Sequence, residues 1–329
     1  MNAATILDRI QTPDTHIDGR TVVVAGVPQG LLVPSLFIAK PDEHGRTHVY
    51  GSKGVGACDV GDPESVWAAL IATGGVLFGT PDDIQAVTAL LAAPRTSRTV
   101  SYLCAIAPDC GAVARAIARL AESRVLVLGA GGIGSMISMV LAGSGVGHVT
   151  FCDGDVVEAS NLNRQFFYGP SDVGRKKVSV LAEAISARYP DVQARAVDGM
   201  VDLDNLPDLM RGMDMVVIGA DEPPHLASDA ARLAHSLGID SISCGYVHAE
   251  GALTFLSHRA ERIEPDSTVQ WMRVAGGAMP SFGPANVELA GIASSTVVLN
   301  LCGLLSAAGD DLQNKWPTYE LPRRWHTDV

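Results

Sequence analysis

The stretch Arg124-Val-Leu-Val-Leu-Gly-Ala-Gly-Gly-Ile-Gly134 decides the fold of this chain. An apolar strand-like run leads into a glycine-rich turn, and a helix-like pattern follows over Ile133–Ser144. A tight turn and a close approach to a phosphate need residues without a Cβ, and the helix N-terminus offers free N–H groups to an anion. A nucleotide-binding turn is therefore predicted at Gly129, Gly131, Gly132 and Gly134.

The next predicted strand, His148–Cys152, is followed by a carboxylate. Asp153 lies 19 residues after Gly134, where a carboxylate can accept hydrogen bonds from a ribose hydroxyl. This strand and helix context favours a nucleotide site over a chance cluster of glycines. The turn alone leaves the nucleotide open, because NAD, FAD, S-adenosylmethionine and ATP all bind to turns of this kind.

Strand-like and helix-like segments alternate through this part of the chain. Such an alternation predicts an α/β protein with a Rossmann-like, mostly parallel sheet and helices on both faces. The predicted strands are Arg124–Leu128, His148–Cys152, Val192–Val197, Met215–Ile218 and Asp240–Ser243. The predicted helices are Cys110–Ala121, Ile133–Ser144, Arg175–Arg188, Leu203–Arg211 and Pro224–Leu237.

Residues 1–94 differ in character and are interpreted as a separate module, with residues 95–329 as the nucleotide-binding domain. Short apolar runs broken by Gly and Pro predict strands, and two helical stretches follow them. A small α+β module of winged-helix type is expected. The strand-like runs are Thr21–Val27, Leu31–Ala39 and His48–Tyr50, and the helices are Asp62–Thr73 and Pro81–Ala92.

Charge and composition exclude several classes of protein. The net charge of −12 disfavours a broad nucleic-acid-binding face. The N-terminus has no apolar signal core, and the uncharged stretch Leu289–Gly309 contains enough Ser, Thr and Asn to favour a buried helix over a membrane span. The six cysteines form no Cys-x-x-Cys pair, so no structural zinc is expected, and free thiols indicate the cytoplasm.

The loop after Asp153 favours ATP over the other nucleotides. It reads Asp153-Gly-Asp155-Val-Val-Glu-Ala-Ser-Asn161-Leu-Asn-Arg164-Gln165, and Asp-Val-Gly-Arg-Lys-Lys177 follows. Arg and Lys side chains neutralise the charge of a triphosphate, and Mg²⁺ bridges its oxygens. An NAD-dependent oxidoreductase would not need this density of polar groups, and no obvious His/Asp pair for hydride transfer is present.

This long motif resembles the signature of the ThiF/MoeB/ubiquitin-activating superfamily over about residues 95–310. The resemblance implies ATP and Mg²⁺ as cofactors, AMP-forming activation of a substrate, and a homodimer. It implies that Asp153 holds the ribose with Asp155 close by. It also implies phosphate contacts by Asn161, Arg164, Gln165 and Lys177. The neighbouring Lys176 stays open as an alternative to Lys177.

Two further roles follow from the same resemblance. Asp221, in Gly-Ala-Asp-Glu-Pro-Pro after a predicted strand, matches the family's Mg²⁺-binding aspartate, with a helix N-cap as the alternative. Arg98, in Arg95-Thr-Ser-Arg98, matches an arginine that reaches the γ-phosphate in the dimer partner. An ordinary solvated arginine in a linker is the alternative reading for Arg98.

The chain departs from many relatives in its cysteines. A thioester- or persulfide-forming cysteine would be expected in the crossover segment, about residues 257–284, and that segment contains none. Cys244 lies on a predicted buried strand and is interpreted as a core residue. Transfer through a cysteine-bound intermediate is therefore disfavoured.

Two segments resemble the branch that modifies ribosomal peptides, of which the microcin C adenylating enzyme is an example. They are Ile-Ser-Cys-Gly-Tyr-Val-His-Ala from residue 242 and Pro-Ser-Phe-Gly-Pro-Ala-Asn286. The branch implies adenylation of a peptide carboxylate or carboxamide, a peptide as partner, and peptide binding by residues 1–94. The tail from Trp316 to Trp325 is interpreted as closing over a substrate, with a role in packing or in a dimer as the alternative.

Two alternatives stay open at this point. In the first, adenylation is followed by intramolecular capture, which gives a cyclised or dehydrated peptide. In the second, the chain is a non-catalytic nucleotide-binding partner that presents peptides to another enzyme. The presence of Arg164, Lys177 and Asp221 argues against the second, because a scaffold would not need all three.

Overall fold

The computed structural model describes residues 14–220, 225–247, 250–260 and 281–305. The chain divides into two compact units, residues 1–118 and 119–329, and the division falls inside one helix, Cys110–Glu122. Asp221, the central part of the crossover segment and the tail from Trp316 lie outside the described residues.

The first unit is an α+β module with two antiparallel sheets. The strands of one sheet stand in the order β1-β2-β3-β7 and those of the other in the order β4-β5-β6. The strands are β1 Thr15–Asp18, β2 Thr21–Val24, β3 Val27–Leu32, β4 Phe37–Ile38, β5 Arg46–Gly51, β6 Gly54–Asp59 and β7 Val76–Phe78. The helices are α1 Pro63–Ala72, α2 Pro81–Ala92, α3 Ser97–Ile106 and α4 Cys110–Glu122.

The α+β character of the first unit is as predicted, but several boundaries were wrong. The run Thr21–Val27 is not one strand, because Ala25 and Gly26 take positive φ angles of 49° and 79° and turn the chain into a hairpin. The run Leu31–Ala39 is broken by Val33 and Pro34, so β3 ends at Leu32. The segment around Arg98, for which a linker was the alternative interpretation, is the helix α3, which buries Val100, Leu103 and Cys104.

The second unit contains a mixed sheet of the predicted Rossmann-like type. The strand order is β10-β9-β8-β11-β12-β13, parallel except for the antiparallel hairpin β12–β13. The strands are β8 Arg124–Leu128, β9 His148–Asp153, β10 Gln193–Asp198, β11 Met215–Ile218, β12 Asp240–Val247 and β13 Glu250–Leu256. The helices are α5 Gly132–Ser144, α6 Lys177–Arg188, α7 Leu206–Met210, α8 Leu226–Ser236 and α9 Gly283–Leu301.

Helices cover both faces of this sheet. Leu126 and Leu128 pack with α7 and α8 in one buried cluster. The opposite face carries Val127, whose Cγ1 would contact a Cβ placed on Gly134 of α5 at 3.4 Å. Because the strand order reverses between β8 and β11, the carboxyl ends of these two strands border a crevice, the usual place for a ligand in an open α/β sheet.

Two helix predictions in this unit need comment. The predicted helix Leu203–Arg211 is only α7, because Asp202 and Asn205 exchange side-chain and backbone hydrogen bonds and hold a turn before Leu206. The uncharged stretch near the C-terminus forms α9, which buries Leu289, Ala290, Ala293 and Val297 as a core helix. None of the described helices is long and apolar enough to span a membrane.

Candidate nucleotide site

The glycine turn joins β8 to α5 and leaves the start of the helix open to an anion. Gly129 has φ 96°, a conformation that favours glycine. Gly131 is the N-cap of α5, and it has no side chain to pair the first N–H groups of the helix. A Cβ on Gly131 would meet nothing closer than Gln165 Nε2 at 3.9 Å, so the turn has open space in front of it.

The other two glycines are required by packing. A Cβ on Gly134 would overlap the carbonyl oxygen of Gly129. A Cβ on Gly132 would overlap the side-chain amide of Asn286 and lie 3.0 Å from the carbonyl oxygen of Arg164. The polar loop after β9 and the first turns of α9 therefore pack directly against the glycine turn.

Asp153 braces the turn from the end of β9. One carboxylate oxygen accepts a hydrogen bond from Ala130 N at 2.7 Å, and the other accepts one from Asp155 N at 2.8 Å. Each oxygen keeps a further lone pair. The aspartate that was predicted to hold a ribose thus lies beside the glycine turn, and its position is fixed by backbone donors.

The structure separates the two lysines at the start of α6. Lys177 is buried, with a side chain 7% exposed, and its Nζ lies 2.8 Å from Asp155 Oδ2. Lys176 Nζ instead contacts the carbonyl oxygen of Gly154 at 2.8 Å and Asp198 Oδ1 at 2.9 Å. Only Lys177 therefore forms an ion pair with a residue that was predicted to belong to the site.

Arg164 carries a positive charge that no described carboxylate neutralises. Its Nη1 donates to the carbonyl oxygen of Ser160 at 2.5 Å and to Asn163 Oδ1 at 3.0 Å, and neither acceptor is charged. The side chain is half-buried, so its orientation is set by the loop rather than by solvent. A guanidinium held in this way is suited to a phosphate.

Gln165 supplies a test of whether this loop fits a nucleotide. The residue is 5% exposed, and its Oε1 is buried without a hydrogen-bond partner among the described residues. A buried polar atom without a partner is costly unless a ligand or water completes it. Gln165 lies against the glycine turn, so a nucleotide bound there fits the residues present.

Asn161 stabilises the polar loop after β9. It is buried, and its Oδ1 accepts a hydrogen bond from Glu158 N at 3.0 Å, which closes the turn Ala159–Asn161. This contact orients the chain that leads to Arg164 and Gln165. A direct phosphate contact by Asn161 stays a prediction.

Two residues of the site were not predicted to belong to it. Tyr168 donates a hydrogen bond from its hydroxyl to the carbonyl oxygen of Ala130 at 2.7 Å, and burial raises the pKa of its phenol. Asn286 donates to the carbonyl oxygen of Arg164 at 3.3 Å. Both contacts join segments far apart in sequence, so spacing alone could not reveal them.

The roles predicted for Arg98 and Asp221 stay predictions. Arg98 lies exposed in the first turn of α3, in the first unit. Asp221 lies outside the described residues. Among the residues that the structure describes, no group of three His, Cys, Asp or Glu side chains is arranged to hold a metal.

All six cysteines are buried, including Cys244 on β12. Burial raises the pKa of the thiol to about 12 for Cys244 and to about 11 for Cys152. A neutral buried thiol is a poor nucleophile. The structure therefore agrees with the interpretation of Cys244 as a core residue.

We expect the native protein to react slowly with a thiol reagent such as Ellman's reagent at pH 8, and the unfolded protein to react rapidly at every cysteine. The unfolded thiols ionise near pH 8.5, about their ordinary pKa, whereas the folded thiols hold their protons. The free energy of unfolding should therefore fall as the pH rises above about 8.5. Rapid reaction of one thiol in the native state would contradict this description.

A nucleotide-binding turn, an uncompensated arginine and a buried lysine on a Rossmann-like sheet define a nucleotide-binding α/β protein. The ThiF family model matches residues 108–315. The chain belongs to the ThiF family, and relatives in that family are named adenylyltransferases.

Curated relatives match part of the chain. The SAMP-activating enzyme E1 of Haloferax volcanii is 38% identical over 140 residues, which is 42% of this chain and 51% of the relative. The probable adenylyltransferase/sulfurtransferase MoeZ of Mycobacterium tuberculosis is 39% identical over 131 residues, 39% of this chain and 33% of the relative. The chain thus spans about half or less of the length of these relatives.

Solved structures share the fold over most of the chain. The crystal structure of E. coli MccB with AMPCPP and MccA has a TM-score of 0.65 and 18% identity, and it covers 84% of this chain and 90% of that protein. The structure of E. coli MccB with ATP has a TM-score of 0.62 at 18% identity over the same shares. The crystal structure of PaaA has a TM-score of 0.61 and 20% identity, and the match covers 82% of this chain and 91% of PaaA.

Proposed function

We propose that this protein uses ATP to adenylate a carboxylate or carboxamide of a peptide and releases pyrophosphate. The observation that carries the proposal is Arg164, a half-buried guanidinium without a described carboxylate partner, in the loop that packs on the glycine turn. The buried lysine Lys177 and the unpaired amide oxygen of Gln165 support it. The curated relatives named adenylyltransferases and the fold shared with MccB agree with it.

The roles of the site residues follow from their chemistry. Asp153 accepts from the ribose hydroxyls, and the uncapped start of α5 with Arg164 and Lys177 binds the phosphates. Asp221 is the proposed ligand of Mg²⁺, and Arg98 is proposed to reach the γ-phosphate bound by the other subunit of a homodimer.

In the proposed reaction, the substrate oxygen attacks the α-phosphorus, the bond to the β-phosphate oxygen breaks, and pyrophosphate leaves. Arg164 and Lys177 stabilise the charge that develops there.

The peptide is proposed to bind to the N-terminal module, residues 1–94. One cross-strand row on the sheet β4-β5-β6 joins Phe37, Tyr50 and Val55, which are paired in register. These side chains are 69%, 45% and 59% exposed. A row of exposed apolar side chains on one sheet face is a suitable surface for an apolar segment of a substrate.

Replacing Phe37 and Tyr50 together by serine is expected to raise KM for the peptide while kcat at saturating peptide stays near that of the unmodified protein. Loss of uniform binding changes KM without changing kcat. The matched control is Phe78→Ser, which removes an apolar side chain 48% exposed on β7, in the other sheet. An equal rise in KM for the control would show that the row has no special role.

The product distinguishes this proposal from its alternatives. The chain is incubated with ATP, Mg²⁺ and synthetic peptides encoded beside its gene, and the peptides are weighed by mass spectrometry. A peptide that gains the mass of an adenylyl group supports adenylation as the final step. A peptide lighter by one water, with free AMP, indicates intramolecular capture. ATP binding without turnover of any peptide would favour the non-catalytic partner.

A further inference from the structure

A cavity of about 250 Å³ lies at the edge of the sheet opposite to the glycine turn. Three of its lining residues, Arg124, His148 and Gln193, are the first residues of β8, β9 and β10. The glycine turn follows the last residue of β8, so the cavity is separate from the candidate nucleotide site. The other lining residues are Thr150, Arg195, Arg211, Gly212 and Met213.

The strand register places the polar residues of this cavity on one face of the sheet. Arg124, His148 and Gln193 are paired side by side across the three strands, and Thr150 is paired with Arg195 two residues further along. Residues two apart in a strand point to the same face. The five side chains therefore form two adjacent rows above one surface.

The short helix α7 covers only part of this face of the sheet. Leu206 and Met210 of α7 pack on Leu126 and the strands beyond it, in the buried cluster shared with β8 and β11. A helix of five residues is too short to reach across β9 and β10 as well. Among the described residues, Arg211, Gly212 and Met213 after α7 line the cavity together with Thr150 and Arg195.

The cavity is positively charged in a protein whose net charge is −12. It contains three arginines and a histidine, and none of the described residues that line it is acidic. Arg211 pairs with Asp208 on the surface at 3.0 Å, whereas the guanidinium groups of Arg124 and Arg195 pair with no described carboxylate. An unneutralised basic cluster of this kind attracts a multivalent anion.

Thr150 contributes a hydroxyl donor to the cavity. The residue is 7% exposed and lines the cavity, and its hydroxyl forms no hydrogen bond with any described residue. The hydroxyl is therefore available to donate to a ligand oxygen in the cavity.

The geometry points to the phosphoryl group of a phosphomonoester, which we propose binds in this cavity. A phosphoryl group offers three terminal oxygens and nearly two negative charges, which match the forked donors of arginine together with a hydroxyl and an amide. The ester body has room in an adjoining cavity of about 540 Å³ that shares Arg124 and Gly212. That cavity is lined by polar and charged groups, including Arg119, Glu122, Asp214, Asp240 and Asn300.

The test is calorimetric titration of the full chain, without ATP, with inorganic phosphate and with glycerol phosphate at fixed ionic strength. Arg195→Gln and Thr150→Val are each expected to weaken binding by about ten-fold or more, since each removes one hydrogen bond to a charged group. Arg232→Gln is the charge-matched control, because Arg232 is an exposed arginine on α8 that pairs with Asp229. Arg164→Ala is expected to leave this binding in place.

The outcomes separate the cavity from the nucleotide site. Glycerol phosphate binding more tightly than inorganic phosphate supports a site for an ester, and a preference for inorganic phosphate overturns that part of the proposal. Absence of binding, equal loss in Arg232→Gln, or loss only in Arg164→Ala overturns the site. The Arg195→Gln variant changes an exposed side chain, so its thermal melt should match that of the unmodified protein and keep the test valid.

Discussion

Replacing Lys177 by methionine is expected to lower the rate of pyrophosphate formation by about 10²–10³-fold while the chain stays folded. The ammonium group of Lys177 is buried beside Asp155, next to the aspartate that braces the glycine turn. A fixed charge in a site that excludes water stabilises a developing negative charge far more than a solvated one does. Methionine keeps the apolar stem and removes only the charge.

The neighbouring lysine provides the matched control. Lys176→Met removes an ammonium group that pairs with Asp198 and the carbonyl oxygen of Gly154, and this variant should retain most of its activity. Both variants should melt near the temperature of the unmodified protein, because Asp155 and Asp198 are each more than half exposed and stay solvated. If Lys176→Met is inactive and Lys177→Met is active, the lysine that stabilises the developing negative charge is Lys176.

Replacing Gly134 by alanine is expected to destroy nucleotide binding and to lower the free energy of unfolding by about 1–3 kcal/mol. The added Cβ would overlap the carbonyl oxygen of Gly129, a backbone atom that cannot rotate away as a side chain can. The turn must therefore shift, and the first N–H groups of α5 shift with it. Titration calorimetry with ATP and a thermal melt measure the two effects.

The control for this substitution is a glycine in another helix of the same unit. Gly291 lies exposed in α9, and a Cβ placed on it would meet nothing within 4 Å. Gly291→Ala should stabilise the chain by about 0.5–1 kcal/mol, since alanine loses less backbone entropy in a helix. ATP binding by Gly134→Ala at the affinity of the unmodified protein would show that the turn does not hold the nucleotide.

The sequence predicted the sheet and the glycine turn because both depend on local patterns. Alternating strand-like and helix-like segments predict a parallel sheet. The positions of the turn that need a residue without a Cβ appear in the sequence as glycines. The hairpin at Ala25 was missed because a positive φ is uncommon for alanine and the apolar run continues through it. The turn that shortens α7 depends on paired contacts between Asp202 and Asn205, which hydrophobic periodicity does not register.

Some residues of the candidate site could likewise be predicted from the sequence, and others could not. Asp153, Arg164, Gln165 and Lys177 stand in one continuous motif and could be singled out from spacing and resemblance. Asn286 and Tyr168 reach the glycine turn only through the tertiary fold, over separations of 122 residues to Arg164 and 38 residues to Ala130. Contacts of that range cannot be inferred from the spacing of residues in a single sequence.

We propose that the chain cleaves ATP between its α- and β-phosphates to activate a carboxyl or carboxamide group. The decisive measurement is phosphorus NMR of the products formed from ATP, Mg²⁺ and the peptides encoded beside the gene. We expect pyrophosphate and an adenylyl product in equal amounts, dependent on the peptide and lost in Lys177→Met. Formation of ADP and inorganic phosphate would show that ATP is cleaved at the other bond and that the proposed activation does not occur.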